Sequence, residues 1–318
     1  MPLYDEEASI DELYQRLCAE LAALPCAAEL VFVDDGSHDR TYPILAGLAR
    51  SDERVRVIRL SRNFGHQRAI TAGLDGARGD AVVTMDGDLQ HPPELIGKLV
   101  DTWRDGYEVV HAIREERVGD GWAKRTGSDL FYRFLGRISD TDVRRDAADF
   151  RLIDREVVDT LCGMRETRRY IRGMVSWVGF SQADVTYRPA ERFAGSSKYS
   201  FRRMASFAVD GVLSFSTAPL RMAMHLGFLV SALAFLSVIV AIVTKLAGAK
   251  VLPGWASIVA IASFLGGVQL IVLGIIGLYV GAIYQEVKQR PLYVVRSVDG
   301  ASGGVAEGAA LEQPAREP

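Results

Sequence analysis

The segment Ala81-Val-Val-Thr-Met-Asp86-Gly-Asp88-Leu-Gln90-His-Pro-Pro-Glu94 decides how the chain is read. Its apolar, β-branched opening, Ala81 to Met85, has the character of a buried strand. It runs directly into an acidic turn, and Pro92-Pro93-Glu94 is suited to open a helix. The same grammar occurs one unit earlier, where Glu29 to Val33 (ELVFV) is followed by Asp34-Asp35-Gly36-Ser37. Two more apolar runs, Val55 to Leu60 and Tyr107 to Ile113, alternate with helix-like stretches such as Ile10 to Leu24 and Thr41 to Ala49. Alternating strands and helices predict an α/β fold with a mainly parallel sheet. Ligands of such sheets gather at the carboxyl ends of the strands, where both acidic turns fall.

Two carboxylates in an Asp-x-Asp turn repel each other unless a cation sits between them. A hard divalent ion, Mg²⁺ or Mn²⁺, relieves that repulsion and in turn neutralises a diphosphate. No GxGxxG follows a predicted strand and no GxxxxGK[ST] is present, so the glycine cradles of dinucleotide and P-loop sites are missing. Basic side chains are the remaining route to phosphate. Arg192 and Lys198 flank Gly195, Ser196 and Ser197 in RFAGSSKYS, a cationic loop suited to close over a phosphate.

Thirty-seven Lys and Arg against 40 Asp and Glu give a net charge of −3, which offers no electrostatic basis for binding nucleic acid. Three cysteines, Cys18, Cys26 and Cys162, lack CxxC spacing and fit a reducing compartment. Charge runs through the first 220 residues and then almost vanishes until Lys288. Met222 to Thr244 and Ala256 to Ile283 are apolar runs with at least the ~20 residues a membrane helix needs. The short linker between them carries Gly248, Pro253 and Gly254 and predicts a two-helix transmembrane hairpin. Arg202, Arg203, Arg221, Lys288 and Arg290 flank its outer ends and place both termini in the cytoplasm. Residues 200–221 mix Phe201, Met204, Phe207 and Leu213 with Arg202, Arg203 and Asp210, the pattern of an interfacial amphipathic helix. Gly277 and Gly281 stand in small-xxx-small spacing, which suits close helix packing or a homo-oligomer. No secretory signal peptide is seen at the acidic start. Arg290 to Ser297 reads as a short strand, and the Gly- and Ala-rich tail after it as disordered.

Seven segments in order, PLYDEE, VDDGSHDRT, SRNFGHQRA, MDGDLQHPPE, ADFRLIDR, RGMVSWVGF and RFAGSSKYS, followed by the hairpin, resemble the polyisoprenyl-phosphate glycosyltransferases of glycosyltransferase family 2. That group includes bactoprenol glucosyltransferases and dolichol-phosphate mannose synthases. The resemblance spans nearly the whole chain. It implies a GT-A (Rossmann-like) cytoplasmic domain over residues 1–199, interfacial helices over 200–221, two transmembrane helices over 222–284, and a cytoplasmic strand and tail over 285–318. The implied localisation is the inner (cytoplasmic) membrane. The implied reaction is inverting transfer of a sugar from a nucleotide diphosphate to a lipid phosphate, with UDP-glucose and undecaprenyl phosphate as the expected pair. GDP-mannose is the alternative donor, and a catalytically inactive membrane scaffold is the alternative of another class.

Matched position by position, the resemblance assigns Pro2, Tyr4, Glu6, Val33 and Asp35 to the nucleoside. Asp86, Gly87, Asp88 and Gln90 fall on the diphosphate segment, with Asp86, Asp88 and Gln90 as metal ligands. Arg192 and Lys198 grip the donor diphosphate, and Arg117, Lys124 and Ser128 fall on the acceptor-phosphate site. Asp149 matches an acidic position near the acceptor, as catalytic base or as a positioning group bonded to Arg151. Two departures stand out: the chain begins at Met1 inside the first motif, where a strand usually precedes it, and Asp5 stands where Asn is usual.

Overall fold

A computed structural model describes residues 1–114, 147–167, 169–187, 218–246 and 254–300. Contacts divide these into two compact units. Residues 1–114, 147–167, 169–187 and 290–300 belong to one, and residues 218–246 and 254–289 to the other.

The first unit begins with β1 (Pro2–Leu3), α1 (Ile10–Ala23), β2 (Leu30–Asp34), α2 (Thr41–Ser51), β3 (Val55–Leu60), α3 (His66–Gly76) and β4 (Ala81–Thr84). A 3-10 turn (Pro93–Leu95), α4 (Ile96–Arg104) and β5 (Val109–Arg114) follow. The described chain resumes with β6 (Ala147–Asp154), α5 (Arg155–Gly163), α6 (Ile171–Trp177) and β7 (Gln182–Tyr187), and closes with β8 (Val295–Gly300). The four strands expected within residues 29–113 are present within a residue or two of their expected ends.

The sheet differs from expectation. Instead of one mainly parallel sheet there are two mixed ones, ordered β1-β2-β3-β8 and β4-β6-β5-β7. β1, β2 and β3 run parallel, whereas β8 joins β3 antiparallel and β6 lies antiparallel between β4 and β5. The strand anticipated at Arg290 to Ser297 lies further on, at Val295–Gly300. Tyr42 Oη donates to Asp299 Oδ2 at 2.9 Å, and Tyr293 Oη donates to Asp75 Oδ2, so the last described segment is tied to α2 and α3.

Apolar spacing explains the helices. α1 buries Ile10, Leu13 and Leu17, and α2 buries Thr41, Leu45 and Ala49, each a single stripe at helical period. The apolar members of both stripes pack with Phe32, Val57, Leu99, Phe150 and Leu152 in one core. A second core joins Ile153 of β6 to Val157, Val158 and Leu161 of α5 and to Met174 of α6.

The turn after β2 is set by Gly36, at φ 73°. A Cβ there would lie 2.5 Å from the Arg62 carbonyl carbon and 2.7 Å from the Asn63 nitrogen. Only glycine lets the turns after β2 and β3 meet. Gly36→Ala should therefore lower the thermal unfolding midpoint by several degrees, about the effect of 1–2 kcal/mol in a domain of this size. Gly47→Ala is the control: open space surrounds that helical glycine, so the same methyl should leave stability unchanged or slightly raised. Equal midpoints for the two variants would refute this account of the turn.

The second unit contains α7 (Ala218–Leu246) and α8 (Trp255–Val287), which pack on one another. Among the described residues one segment, Phe264–Val287, is long and apolar enough to cross a membrane, at a mean hydropathy of 2.1. Ala223–Leu236 of α7 forms a shorter apolar stretch. Leu270, Leu273, Ile276 and Val280 of α8 are exposed. Among the described residues a Cβ at Gly266, Gly267, Gly274, Gly277 or Gly281 would meet nothing within 4 Å.

Candidate active site

The register of β4 on β6 builds the site. Thr84 pairs with Arg151 as the last step of an antiparallel ladder, and just beyond it Asp86 and Asp149 both lie within 3.4 Å of His66 Nε2. Thr84 Oγ1 donates to the Asp149 carbonyl at 2.8 Å and fixes that corner. The alternation along β6 sends Phe150 and Leu152 into the apolar core, leaving Asp149 and Arg151 together on the other face.

Asp149 is 4% exposed, and its carboxylate accepts from four side chains. Arg172 reaches it in a fork, Nε to Oδ1 at 2.9 Å and NH2 to Oδ2 at 3.1 Å. Arg151 NH2 donates to Oδ1 at 3.0 Å, and Gln67 Nε2 and His66 Nε2 each lie 3.3 Å from Oδ2. Burial opposes the charge. The bonds from His66 and Arg172, with the nearby Arg172 and Arg151 charges, outweigh it and hold the acid well below the usual carboxylate range. A carboxylate so engaged is a weak proton acceptor, and the geometry suits positioning better than general-base chemistry.

The Asp-x-Asp turn follows β4. The Asp86 N–H donates to His91 Nδ1 at 2.9 Å, which requires an unprotonated Nδ1. Burial lowers the His91 pKa accordingly, and its ring stacks on Phe150 with centroids 5.0 Å apart. Asp88 Oδ1 accepts the Gln90 N–H at 3.1 Å, and Leu89 between them is left-handed at φ 61°. Strain of that kind in a bulky residue concentrates at functional turns. Gly87 admits β1: a Cβ there would lie 2.1 Å from Leu3 Cδ2.

Around this turn gather the other expected donor-side residues. Pro2 pairs with Val33, and the Ser9 hydroxyl lies 3.0 Å from the Gly87 carbonyl and 3.2 Å from Glu6 Oε2. Burial raises the Glu6 pKa against the Ser9 bond, and Asp88, Asp39 and Asp5 add repulsion. Tyr4 presents an exposed ring, edge-on to His38. Val33 is fully buried in a core of Ile58, Leu60, Ala69 and Ala72, and its side chain packs there. Asp35 accepts the Phe64 and Gly65 N–H groups at 2.7 and 2.9 Å and so holds the turn after β3. Arg117, Lys124, Ser128, Arg192 and Lys198 lie outside the described residues.

Among the described residues no three His, Cys, Asp or Glu side chains converge as a ready metal site. Asp86 Oδ1 and Gln90 Nε2 are nevertheless buried without a hydrogen-bond partner. A carboxamide turned by half a rotation presents oxygen in place of nitrogen. Asp86, Asp88 and Gln90 then form a hard oxygen set that fits Mg²⁺ or Mn²⁺ completed by ligand oxygens. His66, Gln67, Arg172 and His91 receive no role from sequence alone. Their signal is present only as undivided motifs, SRNFGHQRA, RGMVSWVGF and MDGDLQHPPE.

An α/β core with mixed sheets, whose strand ends carry an Asp-x-Asp turn beside a buried carboxylate, is the frame of a GT-A-like transferase. The profile of Glycosyl transferase family 2 matches residues 1–162, and the chain belongs to that family of glycosyltransferases. An uncharacterized glycosyltransferase of Bacillus subtilis (strain 168) is 44% identical over 94% of this chain and 93% of its own length. The SfII prophage-derived bactoprenol glucosyl transferase of Shigella flexneri is 39% identical over 93% of this chain and 96% of its own. A solved mannosyltransferase from Pyrobaculum calidifontis, in complex with GDP-Man and Mn²⁺, aligns with 91% of this chain and 86% of its own. Its TM-score is 0.47 at 16% identity, a distance at which nothing about the site carries over.

Proposed function

We propose that the protein transfers a hexose, glucose in the first instance, from UDP-glucose to undecaprenyl phosphate with inversion, at the cytoplasmic face of the inner membrane. The observation that carries this reading is the Asp86 turn set opposite the cation-clamped Asp149. Support comes from the 39% identity, over nearly full length, to a bactoprenol glucosyl transferase.

In this reading Tyr4 and Glu6 edge the nucleoside site, with Pro2, Val33 and Asp35 as its backbone frame. Asp86, Asp88 and Gln90 hold a divalent cation, which when bound offsets the charge of the donor diphosphate. Arg192 and Lys198 close on the same diphosphate. On the acceptor side Arg117, Lys124 and Ser128 take the lipid phosphate. That phosphate is largely ionised near neutral pH and needs little help from a base. Asp149 therefore serves to orient Arg172 and the turn after β3, and orientation lowers the barrier by fixing two mutually repelling phosphates. Residues 1–199 form the catalytic part and 200–221 lie in the interface. Residues 222–284 cross the membrane twice as a hairpin, and 285–318 return to the cytoplasm. The exposed apolar surface of α8 supports a lipid environment for it.

The test is transfer of radiolabel from UDP-glucose, and in parallel from GDP-mannose, into organic-extractable lipid in membranes supplied with undecaprenyl phosphate. Labelling from UDP-glucose that is lost in EDTA and regained with Mg²⁺ or Mn²⁺ is expected. Labelling only from GDP-mannose would reassign the sugar, and none from either donor would overturn the reading.

A further inference from the structure

Between the Asp86 turn and Asp149 stands an imidazole. The first turn of α3, entered through Gly65 at φ 96°, places His66 Nε2 3.4 Å from Asp86 Oδ1 and 3.3 Å from Asp149 Oδ2. Both neighbours are carboxylate oxygens, which only accept, so Nε2 carries the proton; it is hydrogen-bonded to Asp149 Oδ2 and within ion-pair distance of Asp86 Oδ1.

The two partners are unequal. Asp149 Oδ2 is also held by Gln67 and Arg172, whereas Asp86 Oδ1 is buried and makes no hydrogen bond of regular geometry. Asp86 is thus the carboxylate that a competing cation can draw away. The ring remains reachable, with 45% of its side chain exposed.

We propose that His66 is a positioning residue that couples the two halves of the site. Its Nε2–H, bonded to Asp149, also attracts the Asp86 carboxylate beside it, and turns to Asp149 alone when a divalent cation with a nucleoside diphosphate takes Asp86. Ligation on one side thereby firms the geometry on the other, and by linkage the effect is reciprocal. The kinetic consequence rests on the glycosyl-transfer reading; the bridge itself does not.

Opposite effects on two quantities distinguish this from simple support of the fold. With the full-length protein, Mn²⁺ binding in the presence of UDP is followed by electron paramagnetic resonance. His66→Ala should bind Mn²⁺ about tenfold more tightly, because its competitor is gone, while kcat falls about 10- to 100-fold with little change in donor KM. His66→Gln, whose amide N–H reaches toward the place of Nε2, should recover part of kcat. Protein labelled in its histidines should show the His66 ring resonance shift on adding Mg²⁺ and UDP, and shift likewise in metal-free Asp86→Asn.

Unchanged or weaker Mn²⁺ binding by folded His66→Ala would overturn the proposal. So would a His66 resonance indifferent to Asp86→Asn. If His66→Ala does not fold, His66→Gln and the resonance of Asp86→Asn still decide. A wild-type protein that binds Mn²⁺ and UDP but glycosylates no lipid would refute the function, and the binding and resonance arms would then decide the role of His66 by themselves.

Discussion

Asp149→Asn is expected to cost more stability than any exposed substitution in this protein and to remove sugar transfer with it. Arg151 is 1% exposed, and Asp149 is the acid bonded to its guanidinium. Burial already lowers the Arg151 pKa to about 10 against the attraction of Asp149. Breaking a buried ion pair from one side costs roughly 3–5 kcal/mol, because the other charge is stranded. Replacing both charges at once, as Asp149→Leu with Arg151→Met, should restore most of the unfolding midpoint and none of the transfer. Recovery of activity in that double variant would show Asp149 to be scaffolding alone.

The same carboxylate carries a pH signature. Its folded pKa lies below the unfolded value near ~4, so its contribution is present above that value and fades as pH falls toward the folded one. The stability gap between wild type and Asp149→Asn should therefore be full at neutral pH and narrow only below about pH 4. A gap that closed between pH 6 and 7 would point to a histidine instead.

Asp88→Ala should be as damaging to turnover and almost harmless to the fold. Its carboxylate accepts a local backbone N–H from Gln90 and supports no buried cation among the described residues. Loss of one oxygen ligand at the diphosphate should depress kcat by ~10²–10³-fold, on the scale of removing a transition-state contact. Mn²⁺ binding, measured separately, should weaken in parallel, with the unfolding midpoint within a degree or two of wild type. Normal transfer by this variant would remove the Asp-x-Asp turn from the mechanism.

Local signals make the first half of the fold legible. Val55 to Leu60 is a strand to the residue, and α1 starts at Ile10 as its apolar stripe requires. What is not legible is β6. Its centre, Asp149-Phe150-Arg151-Leu152, alternates charge with apolar bulk, the pattern of a strand with one wet face. Here both faces are buried, the charged one neutralised as an ion pair, and no local signal reports that. β7 (QADVTY) is hidden for a similar reason, being short and half polar. The candidate site divides along the same line. Asp86 and Asp88 announce themselves by following an apolar run. Arg172 lies 23 residues from Asp149 and His66 lies 83, so only the folded chain shows that they share a carboxylate.

β8 closes one sheet with nearly the last residues described, after both apolar helices. A ribosome releases the chain in order, so β3 must wait with an open edge until α7 and α8 have been made. The first unit cannot complete this sheet while the rest of the chain is still being synthesised. Fragments ending before Val295 should accumulate with β3 exposed and prone to aggregate, whatever their catalytic residues. For expression and engineering, the natural place to cut this protein is therefore not between its catalytic segment and its apolar helices.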